Sequence, residues 1–125
     1  MDRSKPPRIR VVMMPKDTNA LGNIFGGVIL SHLDLAAAEH AYSLFPDRYF
    51  VTKVLKEVDF IAPVKVGDAV SYYTETVKTG ATSVTIRVMV ESERKRGAKR
   101  ETVKVTEAEV VMVAVGTDGK AVPIK

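Results

Sequence analysis

The sequence contains no cysteine and no glutamine, only two asparagines (Asn19 and Asn23) and only two histidines (His32 and His40). Without cysteine there is no disulfide, no zinc–thiolate centre and no thiol nucleophile. Two histidines argue against a His-based metal site. Scarcity of thermolabile amides is a thermophile-like trait, and both surviving asparagines sit in one short loop. No apolar run is long enough to cross a bilayer, so no membrane role is expected. Residues 1–7 lack the apolar centre of a secretion signal, which makes the cytoplasm the expected compartment.

What is present is an ordinary soluble composition, 46% apolar and 27% charged over 125 residues. It fits one domain spanning 1–125, with a core from about residue 8 to residue 123. So short a chain buries a modest share of its surface, and a partner is expected to complete its core. The net charge of +4 comes from 19 basic and 15 acidic residues and is unevenly placed. Residues 1–10 carry Arg3, Lys5, Arg8 and Arg10 against Asp2, and residues 94–100 carry Arg94, Lys95, Arg96, Lys99 and Arg100 with no acid. Setting aside the nine basic residues and one acid of these stretches leaves 10 basic against 14 acidic residues, so the body is mildly acidic. A cluster so confined suits a compact anion such as a nucleotide phosphate, and equally a solvated hairpin tip.

A short strand is expected over residues 8–14, closed by Pro15, then a loop of turn and cap formers from Asp17 to Asn23. Residues 26–44 are rich in Val, Ile, Leu and Ala with no proline, which predicts a helix ended by Pro46 and about 27 Å long. Four β-branched alternating stretches follow at about 49–61, 69–78, 82–93 and 100–115, with turn signals at Pro63 to Asp68, at Gly80 and at Gly97. From Val110 to Val115 both faces are apolar, so that strand is expected to be central and covered on both sides. The class is α+β, a curved antiparallel sheet around one long helix. Nothing in the chain covers the other side of that sheet or the far side of the helix, and oligomerisation is the economical answer.

On a helical wheel His32, Ala36, Glu39 and Ser43 share one side, the expected solvent stripe, with His40 on its flank. Asp34 falls about 160° from His32, beside Gly27, Leu30, Ser31, Ala37, Ala38 and Ala41. A carboxylate poorly solvated among small apolar side chains suits a general base or nucleophile. The same placement also suits a structural Asp bonded to Ser31, or one paired with a lysine of a neighbouring subunit. Ahead of it, Asn23-Ile24-Phe25-Gly26-Gly27 leads straight into the helix. Consecutive glycines there let another group approach free backbone N–H donors at the positive end of the helix dipole, though they also suit a tight turn. An amide side chain, paired donors and a carboxylate two turns away are what acyl transfer to activated water requires.

The run Asp17-Thr18-Asn19-Ala20-Leu21-Gly22-Asn23-Ile24-Phe25-Gly26-Gly27, continuing through the helix to Asp34, resembles the signature loop and helix of hotdog-fold acyl-CoA thioesterases. The bacterial YciA-like branch, akin to the eukaryotic cytosolic acyl-CoA hydrolases, is the best match. The similarity continues through Val58 to Asp68, Thr79 to Val84, and Val105 to Ile124, covering nearly the whole chain from about Arg8. The resemblance implies a sheet curled around one helix, dimers joined edge to edge, a trimer of dimers, and active sites between subunits. It implies that Asp34 is the catalytic acid and that the Gly27 N–H polarises the thioester carbonyl. Asn23 helps position water or substrate. Gly26, Thr82, Ser83 and the basic residues Arg94, Arg96, Lys99 and Arg100 are candidate contacts for coenzyme A. No metal and no redox cofactor are implied, coenzyme A being part of substrate and product. The chain ends soon after Pro123, without the C-terminal extension of some relatives, which is expected to alter CoA contacts or assembly.

The reading that follows is hydrolysis of fatty acyl-CoA to free acid and CoA. A non-catalytic acyl-CoA-binding module predicts binding without thiol release. A dehydratase needs His32 or His40 in the site, and the wheel places both away from Asp34. Nucleic-acid binding through residues 94–100 lacks interleaved aromatics, all eight Phe and Tyr lying outside that stretch.

Overall fold

The structure, a computed structural model, describes Met1 and residues 4–125. Asp2 and Arg3 of the first charged stretch lie outside the described residues. Strand β1 (Ile9–Val12) leads through a 3-10 turn (Pro15–Asp17) to helix α1 (Gly26–Leu44), followed by β2 (Tyr49–Lys56), β3 (Ala69–Thr79), β4 (Ser83–Arg96) and β5 (Lys99–Val115). The strands form one antiparallel sheet in the order β1-β3-β4-β5-β2. The helix lies against one face of it, as the resemblance implied.

Helix α1 takes the span expected from its composition. The N–H of Phe45 bonds back to the Ala41 carbonyl and Pro46 ends the helix. Ile29, Leu33, Ala36, Ala37 and Ala41 are buried against Val70 and Tyr72 of β3, Val84, Ile86, Val88 and Val90 of β4, and Val105, Val110 and Met112 of β5. Alanine at three of those helix positions lets the backbone approach the sheet closely, and the β-branched strand residues fill the space between.

Glu39 and Ser43 of the expected solvent stripe are exposed, but the rest of the stripe departs from the wheel. Ala36 and His40, assigned to the solvent stripe and its flank, face the sheet and are buried. Leu35 is 57% exposed. A histidine can enter a core when its nitrogens find partners. Here His40 Nδ1 lies 2.8 Å from Thr74 Oγ1 and Nε2 lies 2.8 Å from Thr76 Oγ1. His32 is half-buried, its Nδ1 2.9 Å from the Val28 carbonyl and its ring tilted against Tyr72.

Two strand expectations also shift. The run expected over 49–61 pairs with β5 only to Lys56, where Glu57 takes a positive φ of 51° and turns the chain away. The β4–β5 hairpin is longer than expected, pairing out to Arg96 and Lys99 around Gly97. Strand β4, not β5, is central, and β5 is covered on one face. Val110, Met112 and Ala114 are buried beneath the helix, whereas Val111 and Val113 are half-buried on the outer face beside Val51, which is 49% exposed.

Candidate active site

The loop before α1 is built by its first asparagine. Asn19 Oδ1 accepts from the N–H groups of Leu21 and Asn23, and the Asn19 N–H donates to the Asn23 carbonyl. This side-chain-to-backbone turn needs an Asx residue. The second asparagine is left for other work. Its Oδ1 accepts from Lys65 Nζ at 3.1 Å, and its NH₂ has no acceptor among the described residues. Lys65 was not singled out from sequence, where 42 residues separate the two.

Phe25 is the helix N-cap residue and makes no side-chain cap bond. The Val28 N–H returns to the Phe25 carbonyl, while the Gly26 and Gly27 N–H groups have no acceptor among the described residues. These are two of the orphan donors every helix presents at its start. A Cβ on Gly27 would stand 2.5 Å from the exposed Phe25 ring, and one on Gly26 would touch Phe60 at 3.5 Å. The glycines thus keep a narrow approach to the donors open. A cleft of about 320 Å³ adjoins them, lined by Asn19, Asn23, Gly26, Phe60 and Pro63 among others.

Asp34 lies two turns further along α1, half-buried at the rim of the helix–sheet packing. The Thr52 hydroxyl of edge strand β2 donates to Asp34 Oδ1. Ser31, the expected local partner, instead gives its hydroxyl to the Val28 carbonyl. Of the small apolar neighbours expected around the carboxylate, Ala37 and Ala41 are buried against the sheet, whereas Leu30 and Ala38 are half-buried and Ser31 is exposed. Seven residues of helix set Gly27 and Asp34 about 10.5 Å apart along the axis. A carbonyl oxygen and the atom attacking its carbon must lie within about 3 Å of their catalytic partners. The resemblance implies that the donor and the carboxylate of one site come from opposite subunits, and a separation of two helix turns is compatible with that.

The candidate coenzyme contacts divide between the two ends. Thr82 and Ser83 lie beside Thr52 on a groove of about 450 Å³ that also includes Val51, Lys53 and Val113. The basic hairpin is at the other end. Val84 shares its register with Met112 and Thr52, and Arg96 is twelve residues, about 40 Å of strand, further on. There Arg94 bonds the Pro63 carbonyl and Asp68, Arg96 pairs with Glu101, and Arg100 pairs with Glu93. Lys99 has no carboxylate partner among the described residues.

Neither histidine reaches Asp34, since both rings turn toward the sheet or their own helix. Burial first, and the Arg8 charge second, hold the His40 pKa below the ordinary 6.5. Among the described residues no three His, Asp or Glu converge as a metal site, and no helix is long and apolar enough to cross a membrane.

Comparison with known proteins bears on this geometry. A sequence profile of the thioesterase superfamily matches residues 21–99, from the loop through the basic hairpin. The acyl-CoA thioester hydrolase YciA of Salmonella typhimurium is 38% identical over 117 residues, 93% of this chain and 87% of its own. A hexameric hotdog-fold thioesterase of Campylobacter jejuni superposes with a TM-score of 0.92 at 42% identity, covering 99% of this chain and 93% of that one. A hexameric broad-specificity acyl-coenzyme A thioesterase superposes with a TM-score of 0.89 at 34% identity, covering 100% and 84%.

Proposed function

The chain belongs to the thioesterase superfamily, in its hotdog-fold, YciA-like branch, and from that membership we propose that it hydrolyses fatty acyl-CoA to free acid and CoA. The observation that carries the proposal is the pairing of Gly26 and Gly27 donors, without an acceptor among the described residues, with a Thr52-held carboxylate two turns along the same helix. In keeping with the resemblance, Asp34 of one subunit faces the helix start of another, and the hexameric relatives support a homo-oligomer. The hexamers formed by the relatives support a trimer of dimers here.

In that site the Gly27 N–H donates to the thioester carbonyl oxygen and stabilises the oxyanion as the carbonyl carbon becomes tetrahedral. Asp34 takes a proton from water as the new C–O bond forms, or itself attacks the carbon to give a mixed anhydride that water then hydrolyses. The C–S bond breaks, and the CoA thiolate leaves and is protonated. Thr52, donating to Oδ1, holds the carboxylate in place and leaves the other oxygen for the reaction. Asn23, with its carbonyl oxygen occupied by Lys65, presents NH₂ donors toward water or substrate. No metal or redox cofactor enters this scheme, and the cytoplasm is the proposed setting.

A panel of acyl-CoA substrates from acetyl to palmitoyl, read by release of free thiol, tests the reading. Turnover supports it. Tight binding without thiol release would instead make the chain a non-catalytic acyl-CoA-binding module.

A further inference from the structure

We infer that Arg94 is a positioning residue for the oxyanion donor and not a contact for a coenzyme phosphate. Its guanidinium is largely enclosed, the side chain 21% exposed, and its NH2 group donates both to the Pro63 carbonyl and to Asp68 Oδ2 at 2.9 Å. That carboxylate, 3% exposed, also accepts from the Lys65 N–H at 2.9 Å and the Ser92 hydroxyl at 2.8 Å. Both bonds come from Nη2, and Nε is buried without a partner among the described residues, so a phosphate reaches at most Nη1 unless the side chain abandons a buried partner, which is a costly exchange.

What Arg94 holds is the wall behind the helix start. Residues 57–68 form no helix or strand. They are fixed where Thr106 donates to the Asp59 carbonyl, where the Ile61 N–H meets the Val105 carbonyl, and where Arg94 and Asp68 join Pro63 to β4. Three features of this wall then touch the site. The Val64 carbonyl accepts the Ile24 N–H at 2.9 Å, Phe60 lies against Gly26, and Lys65 holds Asn23. Arg94 grips the wall at Pro63, the residue next to Val64. Loosening that grip moves the Gly26–Gly27 donors relative to the thioester. The inference rests on the reading of Gly27 N–H as the carbonyl-polarising donor.

Arg94→Lys keeps the charge but shortens the side chain and replaces the guanidinium whose Nη2 reaches both acceptors. It is expected to lower kcat about tenfold or more, as small misplacements of reacting groups do, with KM for acyl-CoA nearly unchanged. The loss should be equal on an acyl-pantetheine thioester, which lacks the nucleotide phosphates. Hydrogen exchange, followed in the intact oligomer, should quicken in peptides covering residues 19–28. Ser92→Ala, which removes one donor to the same carboxylate, should act in the same direction and more weakly, and it carries the test if Arg94→Lys fails to assemble. A rise in KM confined to CoA esters, with kcat and exchange intact, would overturn the inference in favour of phosphate contact. So would unchanged kcat and unchanged exchange. If the unaltered enzyme hydrolyses neither thioester, the proposed activity falls, while the exchange difference still decides what Arg94 does.

Discussion

At its helix-start end the chain is closed in its hydrogen bonding, though Leu21, Phe25 and Ile61 stand exposed there, and at its Asp34 end it is open. The first end has an Asx-built turn, a largely enclosed Arg94–Asp68 pair and a wall of residues bonded to the sheet. The second has a carboxylate with one hydroxyl partner, an edge strand on which Tyr49 is 64% exposed, and Leu35 standing out from the helix at 57%. Apolar side chains on an unpaired sheet edge are a liability unless another chain covers them. The Gly26–Gly27 donors thus sit in a frame built by one chain, and Asp34 lies at an edge that the chain does not itself cover. Preorganisation matters most for the donors, whose contribution depends on fixed dipoles.

The largest effect should come from the open end. Asp34→Asn removes the base or nucleophile but keeps shape and the Thr52 contact, and turnover should fall about 10²- to 10⁴-fold with the oligomer intact by light scattering. Retention of near-normal rates by the Asn variant would sink the mechanism. Gly27→Ala strikes the closed end, because its methyl displaces the Phe25 ring across the donor approach, and should cost about 10- to 100-fold. Co-expressing the two variants then tests the division between chains. In a two-fold pair the mixed dimer carries one doubly altered site and one intact site, so random pairing should restore about a quarter of normal turnover. Recovery of nothing would mean that one chain builds the whole site.

Much of this was legible in the residues, and what was missed has physical causes. Helix α1 stands out because an Ala-rich run ends at a proline, and β4 because Val84, Ile86, Val88 and Val90 alternate. Asp34 and the paired glycines stand out because they lie on one helix at a fixed spacing. Their partners Thr52 and Lys65 do not, since 18 and 42 residues of chain separate each from the group it touches. The helix face was misjudged because the wheel sent polar residues to solvent, whereas His40 finds two threonine hydroxyls inside. The outward side carries Glu39 and Ser43 of the expected stripe, together with Ser31 and the apolar Leu35.

His40 lies within the chain's own core, and its titration should belong to folding and not to assembly. Burial and Arg8 depress its pKa below 6.5, so between that lowered value and 6.5 the unfolded chain binds the extra proton. The contribution to stability is full above about pH 6.5 and is lost as the pH falls through 6.5 toward the lowered pKa. Denaturation midpoints at pH 7.5 and 5.5 should therefore differ, and less so in His40→Gln. An equal pH dependence in the variant would assign the effect to other groups.

The smallest effect is expected at Glu57, the residue that turns the chain from the open edge strand into the closed wall. Its φ of 51° lies in the left-handed region, where a side chain with a Cβ costs about 1–2 kcal/mol. Glycine removes that cost but loses about 0.5–1 kcal/mol through the greater freedom of the unfolded chain. Glu57→Gly should therefore stabilise by about 0.5–1 kcal/mol, seen as a higher denaturant midpoint, and Glu57→Val, β-branched, should shift it the other way. Turnover should not change in Glu57→Gly, because the wall is held by Thr106, Val105 and Arg94 and not by the backbone strain at its entrance. A stabilised but slower enzyme would show that the strained link transmits force between the two ends, and the closed end would then not be closed on its own account.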